Sequence, residues 1–193
     1  LDPATTLGLR LQIIPDDDYF AHPYYRGDGT ITGMAHVGIA GKSVEVMRNL
    51  WQGTFGLGED KSVERGITPP TGRELGPGED PVHLVEFPVG GSVIEISVPT
   101  VEGTGTARLV ESRAQLGGVF HHICPFAPDV HRLVEKAEAA GIQQIGSVRR
   151  EQGNRVVAWF HPKTCVSTLV EAWNRPPGKE QMSHQHGVTP FPY

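Results

Sequence analysis

The sequence predicts an α+β fold built from two copies of one βαβββ module. Three observations carry this: the order of elements is written twice, each copy opens on a strand that carries histidine, and each closes on a strand that carries glutamate. The first copy runs from His36 in "MAHVGIAGK" to Glu95 in "GSVIEISVP", the second from His122 in "FHHICPF" to Glu171 in "VSTLVEAWN". The boundaries follow: an N-terminal extension over 1–30, a paired-module domain over 31–175 (modules at about 31–100 and 116–175), and a C-terminal tail over 176–193.

The first strand spans about Ile31 to Ala40, where alternation puts His36, Gly38 and Ala40 on one face and Val37 and Ile39 on the other. Ser43 is placed to cap a helix whose stripe is Val44, Met47, Leu50, Trp51 and Phe55, ending near "GLG". A strand near Glu59 to Gly66 precedes "ITPPTGRELGPGEDP", too rich in Pro and Gly to form an element. Strands Val82 to Pro88 and Ser92 to Val98 then form a hairpin about "VGGS".

The second module starts with a strand from Val119 to Phe126. Its helix carries Val130, Leu133, Val134 and Ala137 on one side, and Gly141 stands at the C-terminal cap position. Strands near Ile142 to Arg150 and Arg155 to Phe160 flank "EQGN", and the last strand runs from Val166 to Trp173. The extension "IIPDDDYFAHPYYRGDGT" has aromatics but no period, and the tail with His184, His186 and Tyr193 reads as an arm without chemistry.

Composition narrows the function. Apolar content of 38%, charged content of 20%, 24 Gly and 16 Pro describe a soluble, turn-rich globular protein. A net charge of −5 lacks the basic stripe that nucleic acid requires, and the basic pair Arg149 and Arg150 reads as a solvated strand edge. No apolar run approaches the ~20 residues that span a bilayer, and no signal-peptide core is visible, so membrane partners are excluded and a cytoplasmic location is expected. Cys124 and Cys165 lie in strand-like surroundings outside any CxxC or disulfide spacing and read as buried thiols.

Carboxylates are rarely buried without a partner or a metal, so two His and two Glu at matching places point to one four-ligand metal site: His36, Glu95, His122 and Glu171. Two imidazoles and two carboxylates suit Mn, Co, Ni, Zn or Fe rather than Ca. Of the neighbours His121 and His122 only one can face the site, and matching "HHI" to "AHV" selects His122. His22, His83, His131 and His161 read as surface or turn histidines.

These motifs resemble the vicinal oxygen chelate superfamily, which includes glyoxalases, fosfomycin-resistance proteins, extradiol dioxygenases and methylmalonyl-CoA epimerases. The likeness is strongest to the epimerase-type branch, through "HVGIA", "GSVIEISVP", "GGVFHHIC" and "GNRVVAWFHPKTCVSTLVEAW". It covers about Ile31 to Trp173. The resemblance implies a cupped, barrel-like mixed sheet around a divalent metal, a homodimer, and a small-molecule substrate whose enolate the ion stabilises. Similar epimerases place a basic Glu where Leu84 stands, and Glu86, two residues on and facing the same way, is the substitute; otherwise Glu171 or Glu95 would serve as base. Val166–Ser167 replaces a usual Gly-Gly, which predicts a reshaped cavity floor.

The leading expectation is therefore an isomerase or epimerase of a carbon acid. A glyoxalase-type lyase or an Fe(II) extradiol dioxygenase is the second, and a non-catalytic small-molecule binding protein the third.

Overall fold

The computed structural model describes residues 1–13, 28–61, 65–66, 80–89, 92–150 and 155–174. Residues 14–27 of the extension, 62–64, 67–79 of the Pro/Gly-rich loop, the two glycines of "VGGS", all of "EQGN" and the tail from 175 onward lie outside them, with His22, His184, His186 and Tyr193.

In chain order the elements are β1 (Gly33–Gly41), α1 (Val44–Arg48) continued by a π-helical turn (Asn49–Thr54), β2 (Arg65–Gly66), β3 (Val82–Val89), β4 (Ser92–Pro99), α2 (Gly105–Arg113), β5 (Gly118–Phe126), α3 (Val130–Ala139), β6 (Gln144–Arg150), β7 (Val156–Phe160) and β8 (Leu169–Trp173). Both βαβββ runs are present, with α2 as an addition between them. The hydrogen-bonded strand order is β2-β3-β4-β1-β5-β8-β7-β6. Since β5 pairs with β8 in parallel while β2–β3, β6–β7 and β7–β8 are antiparallel, the sheet is mixed and the fold α+β. Its order ends at β2 and β6 and does not close. No described helix is long and apolar enough to cross a membrane.

The chain divides into two compact units. The first comprises Leu1–Gln12, Gly38–Val89 and Val93–His121. Its core is Leu9, Ile39, Met47, Leu50, Trp51, Val85, Phe87 and Ile96. Ser43 caps α1 as expected, its hydroxyl accepting from Val46 N–H. The helix then widens: Phe55 N–H reaches Leu50 O at 3.1 Å, five residues back, and the Trp51 and Phe55 rings lie 5.5 Å apart. Met47 fills the gap beside two glycines, for a Cβ at Gly41 would stand 2.9 Å from its Cγ and one at Gly118 2.7 Å from its Cε.

The extension's first residues pack against this core, with Leu9 in it and Gly118 N–H donating to Leu7 O at 2.8 Å, and two expectations change in this unit. The second strand is described only at Arg65–Gly66, and Glu59 lies outside it: Arg48 grips its carboxylate with two bonds of 2.8 and 2.6 Å, and Lys61 adds a third contact at 2.8 Å. Helix α2 stands where no element was expected, capped by Thr104 and braced by Asp80, which accepts from Thr106 N–H and Oγ1 at 2.7 and 2.8 Å.

The second unit comprises Ile13–Val37, Gly90–Ser92 and His122–Tyr193. Helix α3 starts at the Asp129 cap and ends as the sequence implies. Gly141 at φ +80° lets its own N–H reach Glu138 O and lets Ile142 N–H reach Ala137 O. Val130, Val134 and Ala137 pack on Ala158, Phe160 and Ala172, which fixes one face of β7 and β8 as the helix side. The last strand begins at Leu169, three residues later than expected. Val166 and Ser167 instead form a turn with φ of +51° and +64°, and Val166 is 95% exposed, so this pair points a side chain to solvent rather than flooring a cavity.

Candidate metal centre

The face of β7 and β8 turned away from α3 carries the chemistry. In the antiparallel register Trp159 lies opposite Glu171 and Val157 opposite Trp173, so these four share one side. Strand β5 runs parallel to β8 with His122 opposite Leu169, which puts His122, Cys124 and Phe126 in the same set. His36 is wholly buried, His122 2% and Glu171 7% exposed.

Three of the four ligands named from sequence converge. His36 Nε2 lies 2.8 Å from His122 Nε2, and Glu171 Oε2 is 3.2 and 3.5 Å from those two nitrogens. Ions with bonds of about 2.1 Å set neighbouring donors about 3.0 Å apart in an octahedron and about 3.4 Å in a tetrahedron, so the three atoms are spaced as adjacent vertices of one coordination shell. Two neutral nitrogens and one carboxylate fit a divalent transition ion. His36, His122 and Glu171 form the one group of this kind among the described residues.

Aromatic rings fix both imidazoles. Trp173 stands edge-on to His36 at 4.7 Å, Trp159 to His122 at 5.3 Å, and the imidazoles are perpendicular to each other at 4.9 Å. Burial pushes the Glu171 carboxyl up, but hydrogen bonds from His122 and His36 outweigh it, holding the group well below the ordinary carboxylate range.

The other expected residues sit in the first unit. Glu95 (8% exposed) and Glu86 (2%) are buried on β4 and β3. Val85, Phe87 and Ile96 point into the core, so by alternation Glu86 and Glu95 share the opposite face of these strands. Glu95 is not in the three-residue group. His121 is half-buried, as the choice of His122 requires; His83 and His161 are half-buried and His131 is exposed. Cys124 is buried, while Cys165 is half-buried with its thiol pushed up by burial. Trp159 and Trp173 were missed because period-two patterning gives a residue's face but not its partner across the strand.

A model of the Glyoxalase/Bleomycin resistance protein/Dioxygenase superfamily matches residues 33–158, beginning at the first residue of β1 and ending before Glu171. No curated protein matches the chain in sequence. Among solved structures it is similar to the methylmalonyl-CoA epimerase of Mycobacterium tuberculosis, with 19% identity over 80% of this chain and 95% of that one and a TM-score of 0.62. A Streptomyces coelicolor methylmalonyl-CoA epimerase variant in complex with 2-nitronate-propionyl-CoA gives 19% identity, coverage of 76% and 96%, and a TM-score of 0.58. A hypothetical protein of Bacillus halodurans gives 22%, 74% and 93%, and 0.58. These likenesses are of fold. The match over residues 33–158, well over half of the chain's 193 residues and on the paired modules just described, makes this chain a member of the Glyoxalase/Bleomycin resistance protein/Dioxygenase superfamily.

Proposed function

We propose that the protein is a divalent-metal-dependent isomerase or epimerase that acts on a carbon acid through a stabilised enolate, in the manner of methylmalonyl-CoA epimerase. The observation that carries this reading is the convergence of His36, His122 and Glu171 on one point. Mn, Co, Ni, Zn or Fe held there would supply Lewis acidity to substrate oxygens and lower the pKa of the carbon between them. Glu95, the first module's counterpart of Glu171, is the proposed fourth ligand. Glu86, buried on β3 on the same strand face as Glu95, is the proposed base. Trp159 and Trp173 hold the imidazoles in place and keep water from one side of them. The substrate is a small molecule, with CoA thioesters the first to try, and the working form is a homodimer, which sedimentation velocity tests.

The test of the chemistry is solvent deuterium entering the α-position of methylmalonyl-CoA and related acyl-CoA or hydroxy-keto acids. Incorporation that falls at least a hundredfold in Glu86→Gln supports the reading and the role; no incorporation with any of them counts against it.

One observation favours a second reading. Two His and one carboxylate, with no fourth member among the described residues, make the facial set that Fe(II) oxygenases use. Iron in the purified protein with catechol-dependent oxygen uptake, and metal affinity unchanged in Glu95→Gln, would reverse the order.

A further inference from the structure

We propose that Ile145, Trp159 and Leu169 form an apolar subsite beside the metal centre, which takes an uncharged alkyl or aryl arm of the substrate and so sets its specificity. The inference rests on reading His36, His122 and Glu171 as a centre that receives the substrate's oxygens.

The register lays the three side chains around the ligands. Ile145 lies opposite Trp159 across β6 and β7, and Trp159 lies opposite Glu171 across β7 and β8, so one row on one face runs from the edge strand to a ligand. Leu169 precedes Glu171 by two residues, which puts it on the same face, diagonal to Trp159, and it stands opposite His122 in the parallel pairing with β5. The Trp159 ring reaches over β8 to the His122 ring, 5.3 Å away and edge-on. Apolar groups thus border both Glu171 and His122. Arg149, opposite Val157, and Arg155, over the Trp173 ring, belong to the next row, so the row from Ile145 to Glu171 carries no charge but the ligand's own.

Core packing does not account for these positions. The two cores that the described residues of this unit form take in neither Ile145 nor Leu169, whereas Val170, next to Leu169 and facing the other way, packs on the α3 side. Ile145 is 41% exposed, and Leu169 and Trp159 are half-buried. Exposed apolar side chains scattered singly are ordinary, but three on the face that carries the ligands offer a hydrocarbon group a place to leave water. The ladder slips between Ile145 and Arg149, where Gly146 takes φ +65°, and irregularities of this kind set the aim of the side chains beside them. An arm laid along this row gains about fourfold in affinity for each methylene it buries. A charged arm would lose hydration there and find no partner in the row, so the subsite selects alkyl- or aryl-substituted carbon acids over those with a second anionic arm.

The experiment loads the full chain with Co(II) and measures by calorimetry the binding of malonate, butylmalonate and 3-carboxypropylmalonate, the last with a charge at the end of an arm of similar length. Butylmalonate should bind at least tenfold tighter than malonate, and the carboxypropyl compound less than threefold tighter. Ile145→Asn and Leu169→Ala should each cut the butyl advantage at least threefold while Co(II) and malonate affinities stay within twofold of wild type. Ile145→Leu, which keeps the hydrocarbon, should keep the advantage. A butyl arm that adds nothing in the wild type, an equal gain from the charged arm, or an advantage that survives in both Ile145→Asn and Leu169→Ala would each overturn the proposal. A chain that takes up no Co(II) overturns the centre and the subsite together. One that takes it up and gains nothing from the butyl arm overturns the subsite alone, and neither result depends on deuterium exchange, so the subsite and the enolate chemistry fail separately.

Discussion

Single residues at this site were legible wherever a strand's period of two decides a face. His122 over His121 follows from alternation plus the match between modules, and burial of 2% against a half-buried neighbour agrees with it. Cross-strand partners were not legible, since Trp159 meets His122 and Trp173 meets His36 through a register that no local pattern encodes. The same holds for ion pairs such as Arg48–Glu59, which tie α1 to what sequence takes for a strand. Arg48 first, then Lys61, holds the Glu59 carboxyl below its ordinary value of 4.5 against the opposing effect of burial. A depressed carboxylate contributes stability that is present above its unfolded value and is lost as pH falls through the folded one. Arg48→Met should therefore cost about 1–2 kcal/mol near neutral pH, and denaturant titrations of the two proteins should converge on acidification below about pH 4.5.

At the level of elements, strong periodicity and capping chemistry read correctly, and exceptions have local causes. Helix α3 has its apolar stripe, an Asp cap and a glycine stop, so both ends were placed. Helix α2 was missed because only Thr106 and Val110 of its residues are buried, which leaves no stripe; the Thr104 cap was the available signal. The late start of β8 follows from two consecutive left-handed residues, a conformation that costs a β-branched side chain most. Val166 has no packing to lose at 95% exposure, so Val166→Gly should raise stability by about 0.5–1 kcal/mol, visible as a higher melting temperature. Gly41→Ala should do the opposite: its Cβ would press on Met47 Cγ, not only on the mobile methyl, and a loss of about 1–3 kcal/mol is expected by the same assay.

Over the whole molecule, the repeat was the decisive signal, because an order of elements written twice constrains topology more than any one segment does. It gave both βαβββ runs and the family, and it named the three residues that converge from positions 36, 122 and 171. Residues so far apart in sequence are assembled only in the folded state, so a metal held by them would also contribute folding energy. An ion at about a hundred times its dissociation constant adds about 2.7 kcal/mol, and a chelator should lower the melting temperature by about 5–10 °C. The most direct test is elemental analysis of protein purified without added metal, beside Glu171→Ala. One equivalent of Mn, Co, Ni, Zn or Fe in the wild type, falling at least tenfold in the variant, is the result expected of the His36–His122–Glu171 centre. A well-folded wild type that holds no metal even after reconstitution, or a variant that keeps its full equivalent, would contradict it.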